Sequence, residues 1–139
     1  MVRAVLGFVI AAVLWMPAFF ALTFLVAFVW PAYAVHGGTW FETGVFTFEP
    51  PMAAVNVVCW VLAEVLAGWI AVAIARRRQA AWALGAVLAL YLAIVHLYLY
   101  WPNFPWWYNV AVAGLAAPAV LLGATLPARF ARRGAPAAA

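Results

Sequence analysis

Residues 53–75 read AAVNVVCWVLAEVLAGWIAVAIA, an apolar run that holds one acidic residue, Glu64, and is followed by three arginines. About 20 residues of α-helix cross the roughly 30 Å hydrocarbon core of a bilayer, so this run is long enough to span it. Only helices and closed barrels satisfy every backbone hydrogen bond in lipid, and an uninterrupted apolar run is typical of the helix. The stretch therefore predicts a transmembrane helix.

Three further apolar runs of sufficient length lie at 4–30, 80–100 and 109–126. The chain of 139 residues is 72% hydrophobic and 7% charged, whereas soluble domains carry about 25% charged residues. A soluble domain of this size could not hide so much apolar surface, but a bilayer solvates it directly. We predict an all-α integral membrane protein, a four-helix transmembrane bundle forming a single domain over 1–133, with a disordered Ala/Pro tail at 134–139.

The arginines are divided unequally between the two ends of the predicted bundle. One end holds all seven, which are Arg3, Arg76, Arg77, Arg78, Arg129, Arg132 and Arg133. Loops 31–52 and 101–108 at the other end contain none. The positive-inside rule then puts both termini in the cytoplasm. We expect the protein to lie in the cell (inner) membrane. We expect membrane lipids as partners, and either a homo-oligomer or a larger membrane complex, but not nucleic acid.

Both arginine-free loops are rich in aromatic residues, as is typical of a membrane interface. Loop 31–52 contains two short aromatic stretches around Glu42-Thr43-Gly44, which predict a small β-hairpin on the headgroups. Loop 101–108, WPNFPWWY, is too rich in proline for a helix. Its aromatic side chains could clamp a lipid tail, a quinone or a cation, or could simply anchor the chain at the interface. These candidates are Trp101, Phe104, Trp106, Trp107 and Tyr108.

Glu64 lies about 16 Å from the outer end of the second predicted span, near the middle of the bilayer. A charged side chain at that depth costs at least about 2.5–3.5 kcal/mol, so we expect a protonated carboxyl that faces the other helices. Tyr91 of the third span lies at a similar depth, and Pro118 frees a backbone carbonyl in the fourth, so both could supply hydrogen-bond partners. Glu64 is then either a proton- or cation-binding site or a neutral acid that joins two helices.

His96 lies about 6 Å inside the outer end of the third span. Asn56 of the second span is at a comparable depth, so the two side chains could meet. A histidine there either titrates near physiological pH or reaches the headgroup region. The other candidate ligands on this side, His36, Glu42 and Glu49, match no zinc or calcium spacing. We predict no metal site and no cofactor.

Small residues at four-residue spacing predict the faces on which the helices meet. In the second span this stripe is Ala63, Ala67, Ala71 and Ala75, with Gly68 beside it. Because only a short turn joins the second and third spans, we expect them to pair antiparallel. Gly68 and Gly85 then lie at nearly the same depth.

Three functional classes fit these observations. The first is an accessory or ligand- or lipid-binding membrane protein, or a subunit of a complex, and it is the one we favour. The second is a small proton- or cation-coupled transporter or channel that uses Glu64. The third is a membrane enzyme acting on a lipid or quinone, with Glu64 or His96 as acid or base. The chain has no serine to act as a nucleophile and only one cysteine, Cys59, so we assign no catalytic residue.

Overall fold

The computed structural model describes residues 1–126, and this part of the chain is helical without any β-strand. The helices are α1 (Val2–Val29), α2 (Pro31–Thr43), α3 (Pro50–Ala75), α4 (Gln79–Leu92) and α5 (Trp106–Gly123). A π-helix, Ala93–Leu99, continues α4 without a break, and a 3₁₀ turn, Trp101–Asn103, follows it.

Four helices, α1, α3, α4 with its π-helical continuation, and α5, are long and apolar enough to cross a membrane. Their bounds fall within three residues of the four predicted runs at every end. Large apolar side chains are exposed on all four, among them Phe28, Leu62, Leu90 and Leu122. Soluble monomers rarely expose so much contiguous apolar surface, so these four helices are compatible with a transmembrane bundle. The end of the predicted domain and the predicted tail at 134–139 lie outside the described residues.

Prolines and left-handed residues define where the helices begin and end. Pro31 and Pro50 occupy the first turn of α2 and α3, where a missing backbone N–H costs nothing. Gly44 ends α2 with φ 69°, and Arg76 ends α3 with φ 54°. The left-handed conformation at Arg76 turns the chain sharply, so that α4 begins only three residues later.

The predicted β-hairpin in loop 31–52 is wrong. The first half of this loop is helix α2. Residues 44–49, which follow the helix, form neither helix nor strand. The Thr39 and Thr43 hydroxyls donate to the backbone carbonyls four residues earlier, at Val35 and Thr39, at 3.1 and 2.7 Å. The proline at the start and the glycine at the end of this segment are helix-boundary signals, and they outweigh the short aromatic runs that favoured strands.

The four long helices alternate in direction, so α1 and α4 run one way and α3 and α5 the other. We call the end with loops 30–49 and 100–105 the aromatic end, and the end with Arg3 and residues 76–78 the arginine end. Helix α3 packs most extensively against α1 and α5, and α4 packs mainly against α5. The parallel pair α3 and α5 therefore forms a central interface, while the contact between the sequence neighbours α3 and α4 is smaller.

Glycines allow α3 and α5 to approach until their backbones touch. A Cβ atom added to Gly68 would overlap the backbone carbonyl of Val120, and one added to Gly123 would overlap that of Val65. Gly85 also faces α5, where its nearest neighbours are Ala117 and Val120. Gly68 and Gly85 thus do not face each other, because α5 lies against both.

The alanine stripe of α3 is buried, as an interface requires. Ala63, Ala67 and Ala71 are at most 1% exposed. Helix α1 approaches this helix closely, since a Cβ atom on Gly7 would lie 2.6 Å from the carbonyl oxygen of Ala71. Close approach of this kind is the main source of helix association in lipid, where no hydrophobic effect drives helices together.

Candidate functional site, an aromatic cavity above a buried carboxyl

A cavity of about 770 Å³ lies at the aromatic end of the bundle. It is bordered by the second half of α1, by α2, by the first turns of α3 and by the π-helical end of α4. Aromatic side chains make up most of its wall. None of the described residues that line it is charged, and Thr23, Asn56 and His96 are its polar members besides the tyrosines.

A layer of stacked rings closes the cavity toward the arginine end. Trp60 of α3 stacks on Phe19 of α1, with ring centroids 3.8 Å apart and planes 17° from parallel. Trp15 packs against Trp60 at 5.3 Å and meets the edge of Tyr91 at 5.9 Å. Because this layer joins α1, α3 and α4, it also holds the bundle together at the base of the cavity.

The opposite side of the cavity is covered by α2 and by the two loops of the aromatic end. Phe104 is central to this cover, because Trp40 and Phe46 pack on it at 4.8 and 4.5 Å. Its ring also stacks on Tyr108, with centroids 5.1 Å apart and planes 10° from parallel. The cover therefore ties α2 to the start of α5.

The five aromatic candidates of loop 101–108 divide between the cavity and the surface. Phe104 and Tyr108 line the cavity, and Tyr108 is only 3% exposed. Trp101 and Trp106 are exposed, and Trp107 packs half-buried against the core. Helix α5 begins at Trp106, earlier than the proline content suggested, because Pro105 precedes its first turn instead of interrupting it.

A chain of hydrogen bonds, with Asn56 at its centre, joins four side chains that line the cavity. The Trp60 indole Nε1–H donates to the Tyr108 hydroxyl at 3.1 Å, and that hydroxyl donates to Asn56 Oδ1 at 2.7 Å. The Asn56 amide Nδ2–H then donates to the Tyr33 hydroxyl at 2.7 Å. Sequence reasoning selected Asn56 and Tyr108 but not Trp60 or Tyr33. Trp60 could have been identified from its position well inside a span, because tryptophan in membrane proteins concentrates at the interfaces.

His96 lines the same cavity but bonds a different asparagine. Its Nδ1 lies 3.2 Å from Asn109 Oδ1. The contact with Asn56 that the sequence suggested is not formed, because Asn56 bonds Tyr33 and Tyr108 instead. Asn109 is fully buried, and its Nδ2 donates to the backbone carbonyls of Trp101 and Phe104 at 3.4 and 3.3 Å. Asn109 thereby fixes both the ring of His96 and the 3₁₀ turn above it. His96 belongs to the π-helix, a feature that is frequent at functional sites.

Glu64 is fully buried below this cavity, one helical turn from Trp60 on the same face of α3. Neither of its carboxyl oxygens forms a hydrogen bond with any residue of the described part of the chain. The candidate partner Tyr91 is instead 46% exposed and packs on Trp15. Trp15 itself has a buried indole N–H without a partner among residues 1–126. Trp15 packs on Trp60, the residue one helical turn from Glu64.

The remaining titratable residues of the aromatic end lie apart from one another. His36 Nδ1 is 2.8 Å from the Thr47 hydroxyl, and Glu42 and Glu49 are exposed. Over the described residues, no group of three His, Cys, Asp or Glu side chains is placed to hold a metal ion. Cys59 is buried and unpaired.

Comparison with protein-family models, curated proteins and solved structures finds no match to this chain. The cavity and the buried polar groups are therefore the features from which a function can be inferred.

Proposed function

We propose that this protein binds an uncharged, largely apolar small molecule from the membrane, either alone or as a subunit of a membrane complex. The observation that carries the proposal is the aromatic cavity, whose volume of about 770 Å³ suits a small molecule. The described residues that line it are mostly apolar, a few offer hydrogen-bonding groups, and none is charged. A charged ligand would lose its hydration there without gaining a counter-charge, which favours a neutral one.

We place the protein in the cell membrane, and the distribution of arginines supports an orientation with both termini in the cytoplasm. In this orientation the cavity lies in the outer half of the bilayer. The outer halves of α1 and α4 both border it, and two of its lining residues there, Phe24 and Leu99, are 70% and 55% exposed. A lipid-soluble molecule in the outer leaflet could therefore enter sideways between α1 and α4.

A substitution that fills the cavity is the direct test of this proposal. Val95 lines the cavity and is half-buried, so the indole of Val95→Trp should occupy part of the ligand volume. We expect saturable binding of radiolabelled para-octylanisole to the parent protein in lipid nanodiscs, above its partition into empty nanodiscs. In Val95→Trp, binding should weaken at least about tenfold, equivalent to about 1.4 kcal/mol.

Val87→Trp is the matched control, since Val87 is a 49% exposed valine of the same helix that does not line the cavity. It should bind the probe as the parent does. Equal binding to Val95→Trp and to the parent would contradict the proposal, as would the absence of saturable binding. Tighter binding of octyltrimethylammonium than of para-octylanisole would instead show a site for cations, held by the faces of the aromatic rings.

A second candidate function, proton or cation transport, is favoured by Glu64 alone. Its carboxyl is fully buried and has no partner in the described chain, and ionisable groups at such depth commonly mark ion paths. We expect proteoliposomes holding the parent protein to acidify under an imposed proton gradient faster than protein-free vesicles, as followed by an entrapped pH dye. Glu64→Gln should abolish the difference, whereas Glu49→Gln, at an exposed position, should not. Equal rates with Glu64→Gln and the parent would remove this candidate.

A further inference from the structure

The partners of Asn109 determine which nitrogen of His96 carries a proton. Backbone carbonyls only accept hydrogen bonds, so the atom of Asn109 that faces the carbonyls of Trp101 and Phe104 must be its NH₂ group. The amide oxygen then faces His96 Nδ1, which must be the protonated nitrogen that donates to it. In a neutral imidazole the other nitrogen, Nε2, is consequently a hydrogen-bond acceptor. No described residue forms a hydrogen bond with Nε2, and His96 lines the cavity.

The chain through Asn56 has a direction that is set at Trp60. An indole N–H only donates, so the Tyr108 oxygen accepts it and the Tyr108 proton goes to Asn56 Oδ1. Asn56 then donates to the oxygen of Tyr33, whose own proton has no acceptor in the described chain. Burial raises the pKa of Tyr33 to about 12, so this hydroxyl keeps its proton at any pH suited to a binding assay. Tyr33 also lines the cavity.

Among the buried residues that line the cavity, His96 offers an acceptor, Nε2, and Tyr33 a hydroxyl donor, and neither has a partner in the described chain. Two further lining tyrosines, Tyr91 and Tyr100, are 46% and 37% exposed. We infer that the ligand of the cavity carries a hydroxyl group on an aromatic ring, as a phenol or a quinol with an apolar tail does. A hydroxyl both donates and accepts, so it can donate to His96 Nε2, and its oxygen is also able to accept from Tyr33. The stacked rings at the base and cover of the cavity suit an aromatic carrier of that hydroxyl. This inference rests on the proposed ligand-binding function.

Ligands with other polar groups leave part of this arrangement unpaired. A quinone carbonyl or an ether oxygen accepts from Tyr33 but offers His96 nothing, which leaves a buried acceptor without a partner. Such an unpaired group lowers affinity more than a missing apolar contact does. The unused acceptor therefore discriminates hydroxyl-bearing ligands from their oxidised or alkylated counterparts.

Two probes that differ only at the hydroxyl test the inference. Para-octylphenol and para-octylanisole share a ring and a chain, and the methyl group of the anisole replaces the phenolic proton. Binding is measured in nanodiscs, with each affinity corrected for partition into empty nanodiscs. The parent protein should bind the phenol about tenfold more tightly than the anisole, equivalent to about 1.4 kcal/mol.

His96→Asn is designed to remove the cavity-facing acceptor while keeping the structural bond. The asparagine amide N–H takes the place of Nδ1–H as donor to Asn109. The amide oxygen of the same new side chain lies at the position of the ring carbon Cδ2, so no acceptor reaches as far into the cavity as Nε2 did. The preference for the phenol should fall to about one. Tyr33→Phe, which removes the donor, should reduce the affinity for both probes, because each has an oxygen that accepts from it. His36→Asn is the matched control at the other histidine, which bonds Thr47 and does not line the cavity.

The outcomes separate this inference from the proposal on which it rests. A phenol preference that is lost in His96→Asn and kept in His36→Asn supports both. Saturable binding of the two probes with equal affinity overturns the hydroxyl inference and leaves the binding cavity standing. A preference that persists in His96→Asn also overturns it, because the hydroxyl would then be recognised elsewhere. If neither probe binds saturably, both proposals fail.

Discussion

Replacing Gly123 by alanine is expected to lower the free energy of unfolding by about 3 kcal/mol, the upper end of typical overpacking costs. The added Cβ atom would overlap the backbone carbonyl of Val65 and approach the backbone nitrogen of Trp69. Backbone atoms of a helix cannot rotate away as a side chain can. Helices α3 and α5 would have to separate, which would also open the contact between Gly68 and Val120 one turn away.

Gly114→Ala provides the control, because Gly114 lies in the same helix and its added Cβ atom would meet nothing within 4 Å. Alanine is a better helix former than glycine, so this variant should be at least as stable as the parent. Unfolding in a fixed detergent, followed by circular dichroism against temperature or added dodecyl sulfate, measures both variants. If Gly123→Ala were as stable as Gly114→Ala, the close approach of α3 and α5 would be wrong.

The helical segments could be predicted because each depends on a local property of the chain. A run of apolar residues of sufficient length forms a helix in lipid whatever its neighbours are, so the four bounds follow from composition alone. Helix α2 was missed because several of its residues, Gly37, Gly38 and two threonines, have low helix propensity. Its evidence lay in Pro31 and Gly44, which mark a helix start and a helix end.

The arrangement of the helices could be predicted only in part. The stripe at Ala63 and Ala67 shows which face of α3 is close to another helix, but small residues do not encode which helix that is. Sequence adjacency favoured α4, and the structure places α1 and α5 there instead. The choice depends on the joint packing of all four helices, which no single segment contains.

The candidate site was predicted as separate residues and not as an assembly. Five of the residues selected from depth or residue type line one cavity in the structure: Asn56, Tyr91, His96, Phe104 and Tyr108. Their partners were missed, because a hydrogen bond such as that of Asn56 to Tyr33 joins residues from different helices. Such pairings depend on rotation of each helix about its own axis, and apolar composition leaves that rotation undetermined.

Replacing Glu64 by leucine is expected to raise the free energy of unfolding by about 1–3 kcal/mol, the usual cost of a buried polar group without a partner. Leucine is of similar size, and both oxygens of Glu64 lack hydrogen bonds within residues 1–126. Glu64→Gln keeps an unpaired polar group in the same place, so its stability should stay close to that of the parent. Thermal unfolding of the three proteins in one detergent gives the comparison.

Asn109→Leu is the matched contrast, because Asn109 is buried to the same degree but is hydrogen-bonded to His96, Trp101 and Phe104. Its loss leaves those partners unsatisfied and should lower the free energy of unfolding by about 1–3 kcal/mol. The same kind of substitution, a buried polar residue to leucine, should therefore act in opposite directions at the two positions. That opposition separates hydrogen bonding from any general benefit of apolar residues in lipid.

Opposite signs at the two positions would mean that Glu64 lowers the stability of the fold it occupies. Residues that break a local rule of stability are concentrated at functional sites, so a stabilising leucine would strengthen the transport candidate over a structural role. If leucine instead destabilises the protein while glutamine is tolerated, Glu64 is a neutral acid that joins helices by a hydrogen bond. Transport through Glu64 would then lose its support, whereas the aromatic cavity, which Glu64 does not line, would keep its own.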